Sequence, residues 1–154
     1  MKTTLEEEKE VRKQILKKLK IKFKREDILF LHNNRYLIRD KYSLKVSDGY
    51  TVFLFKDKMI DDKGNFIPLA NEYNNIFKFT LGLAVVCIKS NTQVVGNTYS
   101  QDSKYGLIDV NGKELLPCIF DSIMVRSEGF VEIKLNGQEI NTYVTQIIAG
   151  EFKW

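Results

Sequence analysis

Apolar residues change their spacing once along this chain. From Thr4 to Lys20 they recur at helical intervals, with Leu5, Val11, Ile15, Leu16 and Leu19 on one side and Glu8 and Arg12 interrupting the stripe. Thr4 with Glu7 three residues on matches a capping box. Glu6, Glu7, Glu8 and Glu10 crowd the first turns and Lys17, Lys18 and Lys20 the last, the polarity a helix dipole favours. The opposite side carries Lys9, Lys13, Lys17 and Lys20. The pattern predicts one amphipathic helix over 4–20, its apolar side docked and its lysines outward.

Beyond Lys20 the segments become short, aromatic and β-branched: "ILFLH", "YLIR", "YTVFLF", "LAVVCI", "YGLID", "FVEIKL" and "INTYVTQII". Turn signals separate them at Asn33-Asn34, Asp48-Gly49, Lys63-Gly64, Asn111-Gly112 and Asn136-Gly137. The expectation is a mainly β fold of antiparallel hairpins and meanders behind one N-terminal helix. Residues 1–27 then form a basic helix and connector, and 28–154 a β domain.

Parts of the β domain repeat. "SEGFVEI" (Ser127–Ile133) echoes "TLGLAVV" (Thr80–Val86) and "SDGYTVF" (Ser47–Phe53). "IDVNGKELLPCIFDSI" (Ile108–Ile123) matches "IDDKGNFIPLANEYNNI" (Ile60–Ile76) with a shift of one residue. Gly49, Gly82 and Gly129, used as anchors, lie 33 and 47 residues apart. That spacing predicts about three units of some 33 residues at 33–56, 57–89 and 105–135. A polar insertion would occupy 90–104, with the N-terminal helix and the C-terminal strand capping the array.

Tyr105-Gly106-Leu107-Ile108-Asp109, then Gly112-Lys113 and Pro117, then Phe120-Asp121-x-Ile123 and Glu128-Gly129, resembles the WG (KWG) repeat of bacterial proteins. The resemblance is close from Tyr105 to Ile133, fair from Met59 to Val86 and faint before that. Tyr105 stands at the signature tryptophan position, and in the preceding copy Asp57 and Lys58 replace the aromatic-glycine pair. The resemblance implies a β-rich repeat fold, often an accessory or sensing part of bacterial proteins. It brings no catalytic residue set.

With 154 residues, 44% hydrophobic and 29% charged, the chain is large enough to bury a core without metal or disulfide staples. Cys87 and Cys118 lie in apolar runs and read as buried thiols of a reducing compartment. "LGLAVVCI" is too short to cross a bilayer and the first residues lack an apolar leader core, so a cytoplasmic protein without membrane contact is expected. Residues 1–27 hold ten Lys/Arg and six Asp/Glu, which accounts for the whole net charge of +4. The remaining chain is balanced.

Catalytic chemistry finds little to build on. His32 is the only histidine and reads as a strand-end residue rather than a metal ligand or triad base. Asp61, Asp109 and Asp121 recur by position; the first two precede turn glycines, where a carboxylate accepts turn amides. Gly112 in Asn111-Gly112 suits a type I′ turn, as does Asn136-Gly137, while Gly49, Gly82 and Gly129 are predicted to mark bends or bulges. No cofactor or metal is expected. The sequence therefore points to a non-enzymatic module that contacts another protein, with Tyr99, Tyr105 and Trp154 as candidate anchors and 90–104 as a contact loop. The alternative is a nucleic-acid-associated regulator gripping phosphates through Lys9, Lys13, Lys17, Lys20 and Lys24.

Overall fold

A computed structural model of the protein describes residues 5–19, 28–47, 50–95 and 98–154. Helix α1 (Leu5–Leu19) is followed by β1 (Ile28–His32), β2 (Arg35–Ser47), β3 (Tyr50–Asp61) and β4 (Phe66–Ile67). These four strands make an antiparallel meander in chain order. A second meander consists of β5 (Asn75–Ile76), β6 (Leu83–Val95), β7 (Thr98–Asp109) and β8 (Glu114–Phe120). The third sheet holds β9 (Ser122–Val125) and β10 (Phe130–Leu135), with β11 (Gln138–Glu139) and β12 (Thr142–Tyr143) along β10. A short helix, α2 (Val144–Ile148), ends the regular structure.

Strand alternation explains how the sheets stack. In sheet 1, Tyr36, Ile38 and Ile60 turn towards α1 and pack with Ile15, while Leu37 and Met59 turn the other way. In sheet 2, Ala84, Val86 and Ile108 meet Leu37 and Met59 in the first seam. Leu83 and Leu107, on the opposite face, meet Ile123, Val131 and Ile133 of sheet 3 in a second seam. Val144 and Ile147 of α2 close that cluster. Each sheet is thus too thin to hold a core alone and buries its faces against neighbours.

Helix α1 behaves largely as its pattern predicts: Ile15 is fully buried, Val11 and Leu16 are half-buried, and Lys9, Lys13 and Lys17 are exposed. Glu8 and Arg12, which interrupt the stripe, pair at 3.6 Å near Tyr36 and so reach the interface as a neutralised couple. Leu5, expected on the docked side, is instead 64% exposed. Thr4 of the capping box lies outside the described residues.

The repeat itself differs from the sequence expectation. Ile28 pairs with Ile38, Arg35 with Asp61 and Ser47 with Tyr50. Adding 48 to each number gives Ile76 with Val86, Leu83 with Asp109 and Val95 with Thr98, which are the pairs observed. The unit is therefore 48 residues, about one long hairpin from base to tip. The described residues of 90–104 are not an inserted loop; they form the outer half of the β6–β7 ribbon and correspond to the described residues of 42–56 in the β2–β3 ribbon. Their polarity follows from position, because beyond Cys87 and Tyr105 the described ladder narrows to two strands.

The third copy follows at 47 residues, with Ile123 paired to Ile133 as Ile76 is to Val86. There the last strand stops early, turning back at Asn136-Gly137 into β11. Counted this way the array has two full units and a third cut short at its C-terminal end, rather than three units of 33 residues. The glycine spacing misled because Gly49, which lies outside the described residues, is not the counterpart of Gly82. That counterpart is the turn at Asn33-Asn34.

The expected strand through Ile148 also changes. Val144–Ile148 is helical despite its β-branched content, because the i, i+3 pair Val144 and Ile147 buries into the second seam. The Thr142 hydroxyl, hydrogen-bonded to the Gln146 side chain, braces the start of the helix.

Candidate functional site

The recurring acids are turn residues. Asp61 Oδ1 accepts the amides of Lys63 at 2.9 Å and Asn65 at 2.8 Å. Asp109 Oδ1 accepts those of Asn111 at 2.9 Å and Lys113 at 3.0 Å. Burial raises the Asp61 pKa, but the amides of Asn65 and Lys63 outweigh it and hold the carboxyl below its ordinary range. Gly112 takes φ +79, whereas Asn111 is absent from the positive-φ residues, so Asn111-Gly112 is not the expected type I′ turn. The amide of Gly112 donates to the Asp109 carbonyl and that of Asp109 to the Lys113 carbonyl, a three-residue connection closing on a left-handed glycine. Asn136-Gly137 does have both φ values positive, 51° and 78°, as type I′ requires.

Asp121 differs from the other two. It receives Lys104 Nζ at 2.6 Å and the Gly137 amide at 3.3 Å, and the lysine contact leads in lowering its pKa. It therefore ties the ribbon base to the β10–β11 turn.

The aromatic-glycine pair sits where two sheets meet. A Cβ on Gly106 would lie 2.5 Å from the Leu116 carbonyl oxygen and 2.9 Å from the Pro117 carbonyl carbon, so β8 backbone occupies the space a side chain would need. Tyr105 is half-buried in the second seam, paired across the ladder to Cys87 on one side and Phe120 on the other. Burial, and its hydrogen bond with Cys87, raise the Tyr105 pKa. Tyr105 thus packs inward, with its edge towards a groove.

The corresponding positions in the first seam hold Arg39 and Asp57. Their side chains form a bidentate pair, Nε to Oδ1 at 2.9 Å and Nη2 to Oδ2 at 2.8 Å. The Asp57 side chain is fully buried and also accepts the Ile76 amide at 2.8 Å. Asn74 reinforces the seam, donating to Phe55 O at 2.9 Å and accepting from Lys89 N at 2.7 Å. The replacement at Asp57 was visible in the sequence, but its partner was not, because Arg39 is met only across the hairpin.

Other candidates separate in space. Trp154 is half-exposed, yet its ring lies 5.6 Å from Phe120 and 5.9 Å from Phe152, making it part of the end cap. The Tyr99 side chain, and Lys20 and Lys24, lie outside the described residues. His32 is exposed, with φ 73° and its ring edge-on to Phe30 at 4.9 Å. Burial raises the pKa of Cys87 and pushes that of Cys118 up to about 12, so both stay thiols at neutral pH. Among the described residues no group of three His, Cys, Asp or Glu is placed to hold a metal ion, and no helix is long and apolar enough to cross a membrane.

What the sequence did not single out is an apolar groove of about 520 Å³ at the open edge of the second seam, lined by Phe77, Leu83, Val85, Tyr105, Met124 and Val125 among others. Phe77 and Met124 are 46% and 50% exposed, and Leu81, in the adjoining turn, is 50% exposed. These residues are large and apolar yet remain in contact with water. A sequence signal existed in principle: Leu81-Gly82 stands where the first unit has Asn33-Asn34.

Residues 105–138 match the family model of the WG containing repeat. The matched stretch begins at Tyr105, runs through the Asp109–Lys113 turn and both seam-forming strands, and ends at the β10–β11 turn. No curated protein and no solved structure matches the chain.

Proposed function

We propose that this protein is a non-enzymatic binding module that works by protein–protein contact through its stacked WG-type repeat. The observation that carries this reading is the exposed apolar side chains of Phe77, Leu81 and Met124 gathered beside one apolar groove at a seam of the stack. Such a cluster, rimmed by polar residues, is characteristic of interaction sites. The chemistry of the repeat supports the same view. Asp61 and Asp109 accept turn amides and Asp57 is held by Arg39, so these carboxylates serve the fold. The cytoplasm suits two free thiols that both stay protonated.

Affinity capture from the native host extract, followed by reconstitution with the purified partner, tests the reading. A stoichiometric complex that survives moderate salt is expected. Failure to retain any protein at a level above an unrelated β-rich control would remove the proposal.

The nucleic-acid alternative keeps one observation in its favour: Lys9, Lys13 and Lys17 stand exposed on one side of α1. Glu6, Glu7 and Glu10 are exposed on the same helix and weaken its field. A salt titration with generic RNA and DNA decides it. Binding that steepens with falling salt and flattens in a Lys9→Gln, Lys13→Gln, Lys17→Gln variant would favour this alternative over protein contact.

A further inference from the structure

The protein contains two seams built to one plan, and besides the Arg39–Asp57 and Cys87–Tyr105 rows they differ at their open edge. In the first, Phe79 closes the edge: it is 4% exposed, belongs to the same cluster as Leu37 and Ile76, and its amide donates to the Leu31 carbonyl at 2.7 Å. Phe79 follows Ile76 by three residues. In the second seam the residue three beyond Ile123 is Arg126. Arg126 does not close anything; it reaches out to Glu132 at 3.1 Å with its side chain half-exposed. Val85 and Ile123, the counterparts of Leu37 and Ile76, face the groove of about 520 Å³.

A second, independent feature marks the same edge. Leu81 holds φ 52°, a left-handed conformation that an L side chain with a bulky Cγ rarely adopts, and it does so half-exposed. The first unit satisfies the equivalent turn with Asn33 and Asn34, residue types suited to that conformation. An exposed leucine in an unfavourable backbone, beside a groove lacking its plug, is better explained by a contact than by the fold. Lys78 lines the same groove and gives it a positive rim.

Resting on the binding-module reading above, we infer that this groove seats one aromatic side chain of a partner segment lying extended along β9, with an acidic residue meeting Lys78. Phe79 in the first seam shows the kind of group that fills the position. Among the described residues β9 forms a ladder with β10 alone, while β6 and β7 pack close beside it, so a partner segment would run along β9 at the groove mouth.

The test uses the full ¹⁵N-labelled chain and three capped pentapeptides: Asp-Val-Phe-Val-Asp, the same with central Ala, and the Phe peptide with Lys at both ends. The Phe peptide is expected to shift amides of 77–85 and 122–126 saturably, binding at least tenfold tighter than the Ala peptide and severalfold tighter than the Lys-flanked one. Arg126→Phe, which plugs the groove as Phe79 plugs the first, should abolish these shifts without lowering Tm. Leu81→Asn should raise Tm and weaken binding severalfold, so lost affinity cannot be blamed on unfolding. Equal binding of the Phe and Ala peptides, or undiminished binding by Arg126→Phe, overturns the inference. In extract capture, a partner kept equally by wild type and Arg126→Phe overturns the groove but leaves the binding module standing. A partner kept by neither overturns the binding module itself.

Discussion

Removing the buried carboxylate at Asp57 should be the most damaging single change in the first seam. Asp57 accepts three hydrogen bonds, two from Arg39 and one from the Ile76 amide, and its side chain has no exposure. Deleting one member of a buried ion pair typically costs about 3–5 kcal/mol, because the other charge remains without compensation. Arg39 keeps 28% of its side chain exposed and also lies over Phe55, 4.7 Å from the ring centroid, so it can recover some hydration. The lower end, about 3 kcal/mol, is therefore expected for Asp57→Ala. For a chain of this size that corresponds to a fall in Tm of roughly 6–12 °C.

The second seam supplies a control that separates lost pairing from lost volume. There the same two positions are Cys87 and Tyr105. Grafting them, as Arg39→Cys with Asp57→Tyr, removes both charges and installs a pair already proven in this fold. The double variant should be more stable than Asp57→Tyr alone by at least about 1 kcal/mol in a urea-denaturation cycle followed by circular dichroism. A loss below about 1 kcal/mol for Asp57→Ala, or a graft no better than Asp57→Tyr, would refute the argument that pairing holds this seam.

Gly106→Ala should cost about 2–3 kcal/mol, since the new Cβ meets backbone atoms that only a shift of β8 can clear. Gly129→Ala, with φ +97° but open space around its Cβ, should cost only about 1–2 kcal/mol; the reverse order in thermal unfolding would count against the close approach. Ile15→Ala, emptying a fully buried site between α1 and sheet 1, should destabilise by about 2–4 kcal/mol, and limited proteolysis should then release α1 first. Asp61 has a lowered folded-state pKa, so the stability it contributes is present above its unfolded value, about 3.9, and is lost as pH falls through the folded value. Asp61→Asn keeps an acceptor for both turn amides, so Tm measured between pH 6 and pH 3 should fall less steeply than in wild type; parallel curves would contradict the assignment.

What could be read from the sequence was local chemistry. The α1 stripe, the Asp-x-x-Gly turns and the register between Met59–Val86 and Tyr105–Ile133 all follow from residues near one another, and the structure keeps them. The true unit length does not follow from the glycines, because Gly49 and Gly82 do not occupy equivalent positions. The fold instead aligns on left-handed turns, and those use Asn33-Asn34 in one copy and Leu81-Gly82 in the next. Arg39 and Asp57 lie 18 residues apart and meet only through hairpin register, so neither charge announces the other. In α2, burial of Val144 and Ile147 overrides a β-branched local preference. The groove was the least legible feature, since it arises from a missing side chain and emerges only when one seam is laid against the other.

That comparison also changes what the signature aromatic position means in this fold. If the position required an aromatic ring, Asp57 would be a defect, and a buried aspartate would unfold the first seam. Instead its carboxylate takes two guanidinium hydrogens and the otherwise edge-facing Ile76 amide, while Asp57 bridges to Tyr73 as Tyr105 pairs with Phe120. The requirement is that the cross-strand pair fill the seam and leave no polar group unmatched, which Cys87 with Tyr105 and Arg39 with Asp57 achieve by different chemistry. The constraint therefore acts on rows of the ladder rather than on single residues. A copy can lose its ring and keep its fold when the facing residue changes with it, as Arg39 does with Asp57. Arg126 is the contrasting case: its partner Glu132 satisfies the charge, but nothing takes over the volume that Phe79 fills. Polar satisfaction without volume leaves a stable fold with an opening, and an opening lined by Tyr105, Val85 and Met124 is where a binding function has room to arise.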